Sequence, residues 1–521
     1  MKTHIKLAMI MALATPLLSC GLAQAQLVDN TQGTSTARAG INKSLQQEIG
    51  AGRGDVMTPD SAIYIIKRDP FRSIRRGRQL FQRKFTRAQG QGPNEGDGTG
   101  DLNTTPSIGA GLADSCALCH GRPRGAAGSG GVLDTRPDGR HVPHLFGLGL
   151  REMLGDEITT DLRNTRSAAV AWAQRTHRPV TLPLISKGIH FGFITGLPDG
   201  SVDTSRVSGV DPDLRVKPFN AQGSMFSIRQ FIVDGLHNEM GLEDSNDPDI
   251  LAASQGARVV TPSGMVLDGS LDKISPPPLP DAQNGNEIDP AIVDHLEFYL
   301  LNYFKPGHSQ QNETTELGRR VFSRIGCASC HIANLVVNHD RRVADVETDY
   351  EPSKGVFNGL FATATLLYVE KTDAPGLPTL KLPAGKAFIV RDIFADFKRH
   401  DLGPAFYERN WDGTIQKEFM TRPLWGVASV GPWGHDGRSV TLDDVILRHG
   451  GEAQASRDAY ATLPTFQSQA LQAFLNSLVL FPPDDTASNL DPADSTKPNF
   501  PQVGHGSIKL TVLFNDPTDP E

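Results

Sequence analysis

Long apolar runs are missing from this 521-residue chain once its first residues are passed. Beyond Leu7 to Leu18 no segment is long and apolar enough to cross a bilayer, so no transmembrane segment is expected. An excess of positive charge is missing too. The 51 Lys and Arg stand against 59 Asp and Glu, a formal net charge of −8, which argues against a nucleic-acid partner. Cysteine is scarce: there are 5, and all but Cys20 lie in two copies of one motif.

Those copies are Cys116-Ala117-Leu118-Cys119-His120 and Cys327-Ala328-Ser329-Cys330-His331. Two thiols one helical turn apart can add to both vinyl groups of a porphyrin, and the next histidine is then placed beneath the iron. A thioredoxin-like pair or half a zinc site needs no histidine at that position, and a zinc ribbon needs its two pairs close together. Two covalently bound haem c groups are therefore expected. Cys116, Cys119, Cys327 and Cys330 would form the thioethers, with His120 and His331 as proximal ligands.

The N-terminus agrees with that reading. Lys2 and Lys6 precede the apolar stretch, and Ala23-Gln24-Ala25 forms a cleavage site, the layout of a secretory signal peptide over residues 1–25. Periplasmic export follows from it. Leu17-Leu18-Ser19-Cys20-Gly21 also fits a lipoprotein box, in which Cys20 would carry a lipid anchor. The Ala-x-Ala site is better formed and is the reading adopted.

A longer repeat surrounds the motifs. Gly77-Arg78-Gln79-Leu80-Phe81-Gln82-Arg83 and Gly318-Arg319-Arg320-Val321-Phe322-Ser323-Arg324 both read Gly-Arg-x-aliphatic-Phe-x-Arg, with the apolar positions on one helical face. In the first copy a Gly-rich surface loop, Gln89 to Gly111, separates this helix from its cysteines. Pro143-His144-Leu145-Phe146-Gly147-Leu148 is loosely echoed by Arg422-Pro423-Leu424-Trp425-Gly426-Val427. Amphipathic helices close the halves at Pro290–Phe304 and Gln467–Leu480, each stopped by proline. The Pro-rich stretch Ser275 to Pro280 reads as an extended strap.

The expected fold is mainly α: two cytochrome c-like haem domains in tandem, with long loop insertions and few short strands, such as a hairpin in the 340s to 380s. The boundaries are a polar N-terminal tail at 26–60, an N-terminal haem domain at 61–306, a C-terminal haem domain at 307–484 and a tail at 485–521. The joint falls near Lys305 to Asn312. The basic run from Lys67 through Arg68, Arg72, Arg75, Arg76, Arg78, Arg83, Lys84 and Arg87 is read as a solvated helix face, with a docking patch for an acidic donor, or guanidiniums over propionates, as the alternative.

Trp433-Gly434-His435-Asp436-Gly437-Arg438 is followed by a helical run ending at His449-Gly450-Gly451. With the paired haem motifs, this segment resembles the di-haem cytochrome c peroxidase superfamily, closest to its di-haem oxidoreductase branch. Lys398 to Gly403, Arg422 to Gly426, Ile446 to Ala453, Ser227 to Phe231 and Asn238 to Gly241 extend the resemblance over most of residues 65 to 480. In that superfamily the sixth ligand of the electron-transfer haem lies fourteen residues past the His of His-Asp-Gly. Peroxidases use Met there, and the relative that matures the tryptophan cofactor of methylamine dehydrogenase uses Tyr. This chain has His449, so the resemblance implies a bis-His second haem, with His331 below and His449 above.

The first haem has no sixth ligand assigned. His141, His144, His177, His190 and His237 are candidates, and Glu152 is a candidate acid/base for cleaving a peroxide O–O bond. The superfamily's distal hairpin is not recognisable here. Phe191, Phe193, Phe219, Phe226 and Phe231 read mainly as core, with an apolar distal pocket like that of the di-haem rubber oxygenases as the alternative. The resemblance also implies a calcium ion between domains, for which Asp199 to Asp203 and Asp244 to Asp249 are candidates, although ordinary turns account for both.

The expected function is a periplasmic di-haem oxidoreductase of peroxidase type. Electrons would come from a small redox protein, a cytochrome c or cupredoxin, enter at the second haem and reduce hydrogen peroxide at the first. The alternatives are a dioxygen-using or ferryl enzyme acting on an apolar substrate or partner protein, and a non-catalytic electron carrier.

Overall fold

The repeat glycines fall where helices cross. The computed structural model describes residues 44–92, 113–121, 127–133, 139–242, 247–277, 288–303, 311–350, 360–410 and 412–480. In chain order its main helices and strands are α1 (Pro70–Gln82), α2 (Leu148–Thr176), β1 (Val180–Ser186), β2 (Ile189–Gly196), α3 (Ile228–Met240), α4 (Pro290–Asn302), α5 (Glu313–Arg324), β3 (Leu335–Val337), β4 (Phe388–Val390), α6 (Leu442–Arg448) and α7 (Thr465–Asn476). Gly77 on α1 lies against α4 so closely that a Cβ would sit 2.2 Å from the His295 carbonyl oxygen and 2.4 Å from Tyr299 Cβ. Gly318 on α5 meets α7 in the same way, 2.0 Å from the Ala470 carbonyl oxygen and 2.7 Å from Phe474 Cβ. Only glycine permits backbones to approach this far. The repeat read from the sequence is thus one helix crossing built twice.

Each closing helix forms for local reasons. Asp289 caps α4, its Oδ1 accepting from Ala291 N at 2.8 Å, and Pro290 fills the first helical position, where no N–H is needed. Asn312 caps α5 in the same way. The expected amphipathic character of α4 is not what the structure shows. Every residue from Ala291 to Asn302 is buried, because α1, α2 and α3 cover it from different sides. Its polar residues are matched inside: Ser73 Oγ and His295 Nδ1 are 2.9 Å apart, and Asn302 Oδ1 accepts from Val343 N.

Helices joined by short antiparallel strand pairs make up the described chain, in keeping with a mainly α fold. The anticipated hairpin is present, with Ala344–Tyr350 paired to Leu360–Leu366. The β1–β2 hairpin was not anticipated. Its turn, Lys187-Gly188, takes φ of 50° and 80°, the left-handed pair that suits a two-residue hairpin. The 29-residue α2 was not anticipated either, since its polar faces hide the apolar stripe.

Apolar side chains gather in three clusters. One lies around α1, α3 and α4 and takes in Cys116 and Cys119. Another lies around α5 and α7 and takes in Cys327. Between them a third joins α2 and the β1–β2 hairpin to β3, β4 and Trp425. The two halves of the sequence therefore share a core.

Much of the basic run is ion-paired rather than solvated, although Arg87 at its end is exposed. Arg68 is buried and makes a two-pronged pair with Asp373, both contacts at 2.8 Å. Arg72 and Arg76 share Asp60, Arg83 pairs with Glu48, and Lys84 pairs with Asp114. Residues 44–60, expected as part of a tail, supply two of these carboxylates, Glu48 and Asp60, and pack on the protein. No helix among the described residues is long and apolar enough to cross a membrane. The signal peptide, Cys20, the 485–521 tail, most of the Gly-rich insertion, Pro278 to Pro280 and the 306/307 joint lie outside the described residues.

Candidate functional site

Both motifs open onto one cavity of about 490 Å3, lined mostly by apolar side chains, a size typical of small-molecule and cofactor sites. Cys116–His120 forms a single helical turn, and Cys327–Ser329 a 3-10 turn that brings His331 N to the Cys327 carbonyl at 3.0 Å. In each the proximal histidine is oriented by the same device. His120 Nδ1 donates to the Pro143 carbonyl at 2.8 Å, and His331 Nδ1 donates to the Phe394 carbonyl at 3.0 Å. His449 follows suit at the end of α6, its Nδ1 donating to the Val445 carbonyl at 2.7 Å. His120 also has the Gly128 backbone as a hydrogen-bond partner, whereas His331 and His449 show only the Nδ1 bond among the described residues. Fixing one ring nitrogen on a carbonyl sets the tautomer that leaves the other free for a metal.

Electrostatics keep these groups neutral. Burial pulls His120 and His331 down to about 4, with His449 contributing at His331, and burial lowers His449 as well. Burial pushes the Cys116 thiol up to about 12 and the Cys327 thiol up to about 11. Cys119 reaches about 11 by burial, with Glu239 and Asp114 adding to it. The cavity, the paired thiols and the histidines oriented on its wall fit haem c at both motifs. His120 and His331 would hold the iron from below, and His449 would face His331.

The other candidates separate clearly. His141 and His144 line the cavity; His177, His190 and His237 do not. His144 Nε2 donates to the Trp425 carbonyl at 2.8 Å, and its Nδ1 is buried without a partner among the described residues. His177 ends α2 and His190 lies on β2, both exposed. Glu152 is not brought to the cavity. It is buried in α2, with Oε1 accepting from Ile228 N at 2.7 Å and Oε2 from Arg341 Nη2 at 2.6 Å.

The acidic groups that do reach the cavity are Glu452 and, on α3, Asp234 and Glu239; the latter two lie beside Phe231, whose ring is 6.3 Å from that of His120. Residues 231, 234, 235 and 239 share one helical face, so the spacing itself could have singled them out. Of the five phenylalanines, Phe219 and Phe231 line the cavity, 6.2 Å apart. Phe191 and Phe226 are core, and Phe193 is exposed beneath Arg206. Asp199 and Asp203 spend their carboxylates on Ser201 and Ser205 in local turns, while Asp244 lies outside the described residues.

Around the second motif, His435 stacks on Phe419 at 3.9 Å, with Nε2 3.2 Å from Glu408. His400 is held between two carboxylates, Nε2 2.8 Å from Asp396 and Nδ1 2.8 Å from Glu452. Burial works against its charge, but Asp396, Cys330 and Glu452 raise it to about 11, so it is an imidazolium at neutral pH.

Residues 362–478 match the profile of a family described as "Di-haem oxidoreductase, putative peroxidase". No curated protein matches the chain. Among solved structures, Kuenenia stuttgartiensis hydrazine synthase is similar at 13% identity and a TM-score of 0.35, over 82% of this chain and 94% of that one. A MauG-like protein associated with microbial copper homeostasis is similar at 15% identity and a TM-score of 0.25, over 54% of this chain and 77% of that one. On residues 362–478, which hold His400, Arg422, His435 and His449, the resemblance to the di-haem oxidoreductase branch of the di-haem cytochrome c peroxidase superfamily stands.

Proposed function

We propose that this protein is an exported, periplasmic di-haem c-type oxidoreductase that reduces hydrogen peroxide. Bound haem c supplies reversible iron redox chemistry and a place for peroxide to bind. The chain's own residues divide the labour between two tandem haem-binding halves. In the C-terminal half Cys327 and Cys330 form the thioethers, and His331 and His449 close both faces, which suits electron entry from a small redox protein. In the N-terminal half Cys116 and Cys119 form the thioethers and His120 is the proximal ligand.

One observation carries this asymmetry. Three imidazoles are aimed into the cavity by an Nδ1–carbonyl bond, and two of them, His331 and His449, interact with each other. On the His120 side the candidates are His141 and His144, both on the cavity wall, and His120 acts electrostatically on His144. His144 lines the same cavity, but its Nε2 is engaged by Trp425. The N-terminal half is therefore where peroxide is taken. Reduction of one H2O2 to two waters uses two electrons and two protons, and the Glu239 carboxyl on the cavity wall is placed to hold and deliver one of those protons. Glu152 serves to position α3, through Ile228 N, rather than to transfer protons.

Steady-state reduction of peroxide by the haem-loaded protein, with a reduced cytochrome c or cupredoxin as donor, tests the reading. Turnover that falls in Glu239→Gln supports it. Loaded protein that binds dioxygen stably and turns over no peroxide would favour an oxygenase, the reading to which Phe219 and Phe231 on the cavity wall lend weight. Two six-coordinate haems and no turnover would leave an electron carrier.

A further inference from the structure

Among the described residues two arginines on the cavity wall make no ion pair. Arg151, in the first turn of α2, donates from Nη2 to the Pro218 carbonyl and lies 5.5 Å from the centroid of the Phe219 ring. Arg422 lies just after the strand Glu418–Met420 and three residues before Trp425. Both line the cavity between the two haem motifs, and neither makes an ion pair among the described residues. Elsewhere the inward guanidiniums are matched: Arg140 by Glu408, Arg341 by Glu152, Arg448 by Asp436 and Arg229 by Asp247, Asp294 and Glu297.

The mismatch has a visible electrostatic consequence. Burial and then Arg422 push Arg151 down to about 10, while burial and then Arg140 push Arg422 down to about 10. Asp436 acts on Arg422 from a distance, but its carboxylate is committed to Arg448 at 2.6 Å. His144, beside them, is driven down to about 3 by burial, with both arginines contributing. Two uncompensated like charges in an apolar cavity are unfavourable unless an anion accompanies them. A guanidinium's planar fork matches a carboxylate best.

We propose that Arg151 and Arg422 form a carboxylate clamp at the junction of the two haem-binding halves, and that the carboxylate it holds is a haem propionate. The clamp rests on haem being held at both motifs, as proposed above, and is independent of the peroxide reaction. A free carboxylate drawn into the cavity is the other source of the same chemistry, and the test separates the two.

The test uses the full haem-loaded protein, with haem per chain quantified. Midpoint potentials are measured by spectroelectrochemistry for wild type, Arg151→Gln, Arg422→Gln and the charge-keeping variants Arg151→Lys and Arg422→Lys. Removing a fixed positive charge beside a propionate favours the ferric state. At least one potential should therefore fall in each Gln variant and recover towards wild type in the matching Lys variant, which a merely structural role would not produce. Succinate is titrated into each protein as the second arm. A saturable change in the wild-type haem spectrum that both Gln variants lose, with potentials unmoved, would keep the clamp but overturn the propionate as its ligand. Unmoved potentials in fully loaded Gln variants, with no response to succinate, overturn the clamp. Wild-type protein with fewer than two haems per chain would instead count against the two-haem reading itself.

Discussion

Gly318 sits against the Ala470 carbonyl so tightly that a Cβ would come within 2.0 Å of its oxygen. Gly77 holds the same position against His295. Neither helix can retreat without opening the apolar cluster that surrounds its haem motif. Gly318→Ala and Gly77→Ala should each destabilise by about 1–3 kcal/mol or more, the range for overpacking a well-filled contact. Thermal or urea unfolding checks this, and a loss below ~0.5 kcal/mol would mean that the crossings are looser than the geometry indicates.

Glu152 and Glu239 should separate under mutation. Glu239→Gln should lower the peroxide rate by roughly 10²- to 10⁴-fold, the usual contribution of a positioned acid or base, while leaving stability near wild type. Glu152→Ala leaves Arg341 only its 3.5 Å contact to Asp156 and takes the acceptor from Ile228 N, so it should cost about 1–3 kcal/mol in stability. Unfolding curves and initial rates on both variants decide the matter. A Glu152→Gln variant that folds normally yet loses turnover as Glu239→Gln does would reverse the two roles.

Glu297 gives a pH signature. It is buried on α4, Oε2 2.9 Å from Arg229 Nη1 and Oε1 accepting from Thr261 at 2.8 Å. Burial raises its carboxyl to about 7 against Arg229, which lowers it, and Glu152 adds to the rise. For an acid whose folded-state value lies above 4.5, the protonated form is favoured by folding. Its contribution is complete below about pH 4.5 and is lost as pH climbs through about 7. Glu297→Gln should therefore flatten the fall in stability between those pH values, measurable as melting temperature against pH. A slope unchanged by the substitution would show that other groups set it.

Much of the arrangement was legible in the sequence, and the reason is spacing. The haem motifs are contiguous, so their chemistry reads directly. The Gly-Arg-x-aliphatic-Phe repeat marks a helix crossing because its glycine, aliphatic and phenylalanine share one face. What stayed hidden depends on tertiary neighbours. The arginines of the basic run read as a solvated face because their carboxylates, Asp60, Glu48 and Asp373, lie elsewhere in the chain. Glu152 is a candidate acid/base by sequence, but Arg341, far along the chain, holds its carboxylate in the structure. Glu239 lay in a stretch that already matched the superfamily, but only the face it shares with Phe231 aims it at the cavity.

The division of labour between the haems turns on His449. The direct measurement is the EPR spectrum of the oxidised, fully loaded protein and of its His449→Ala variant. Wild type should show one low-spin bis-imidazole signal and one high-spin signal. The variant should lose the bis-imidazole signal and gain high-spin intensity, because His331 then has no imidazole across the iron. A bis-imidazole signal that persists unchanged in His449→Ala would contradict the assignment.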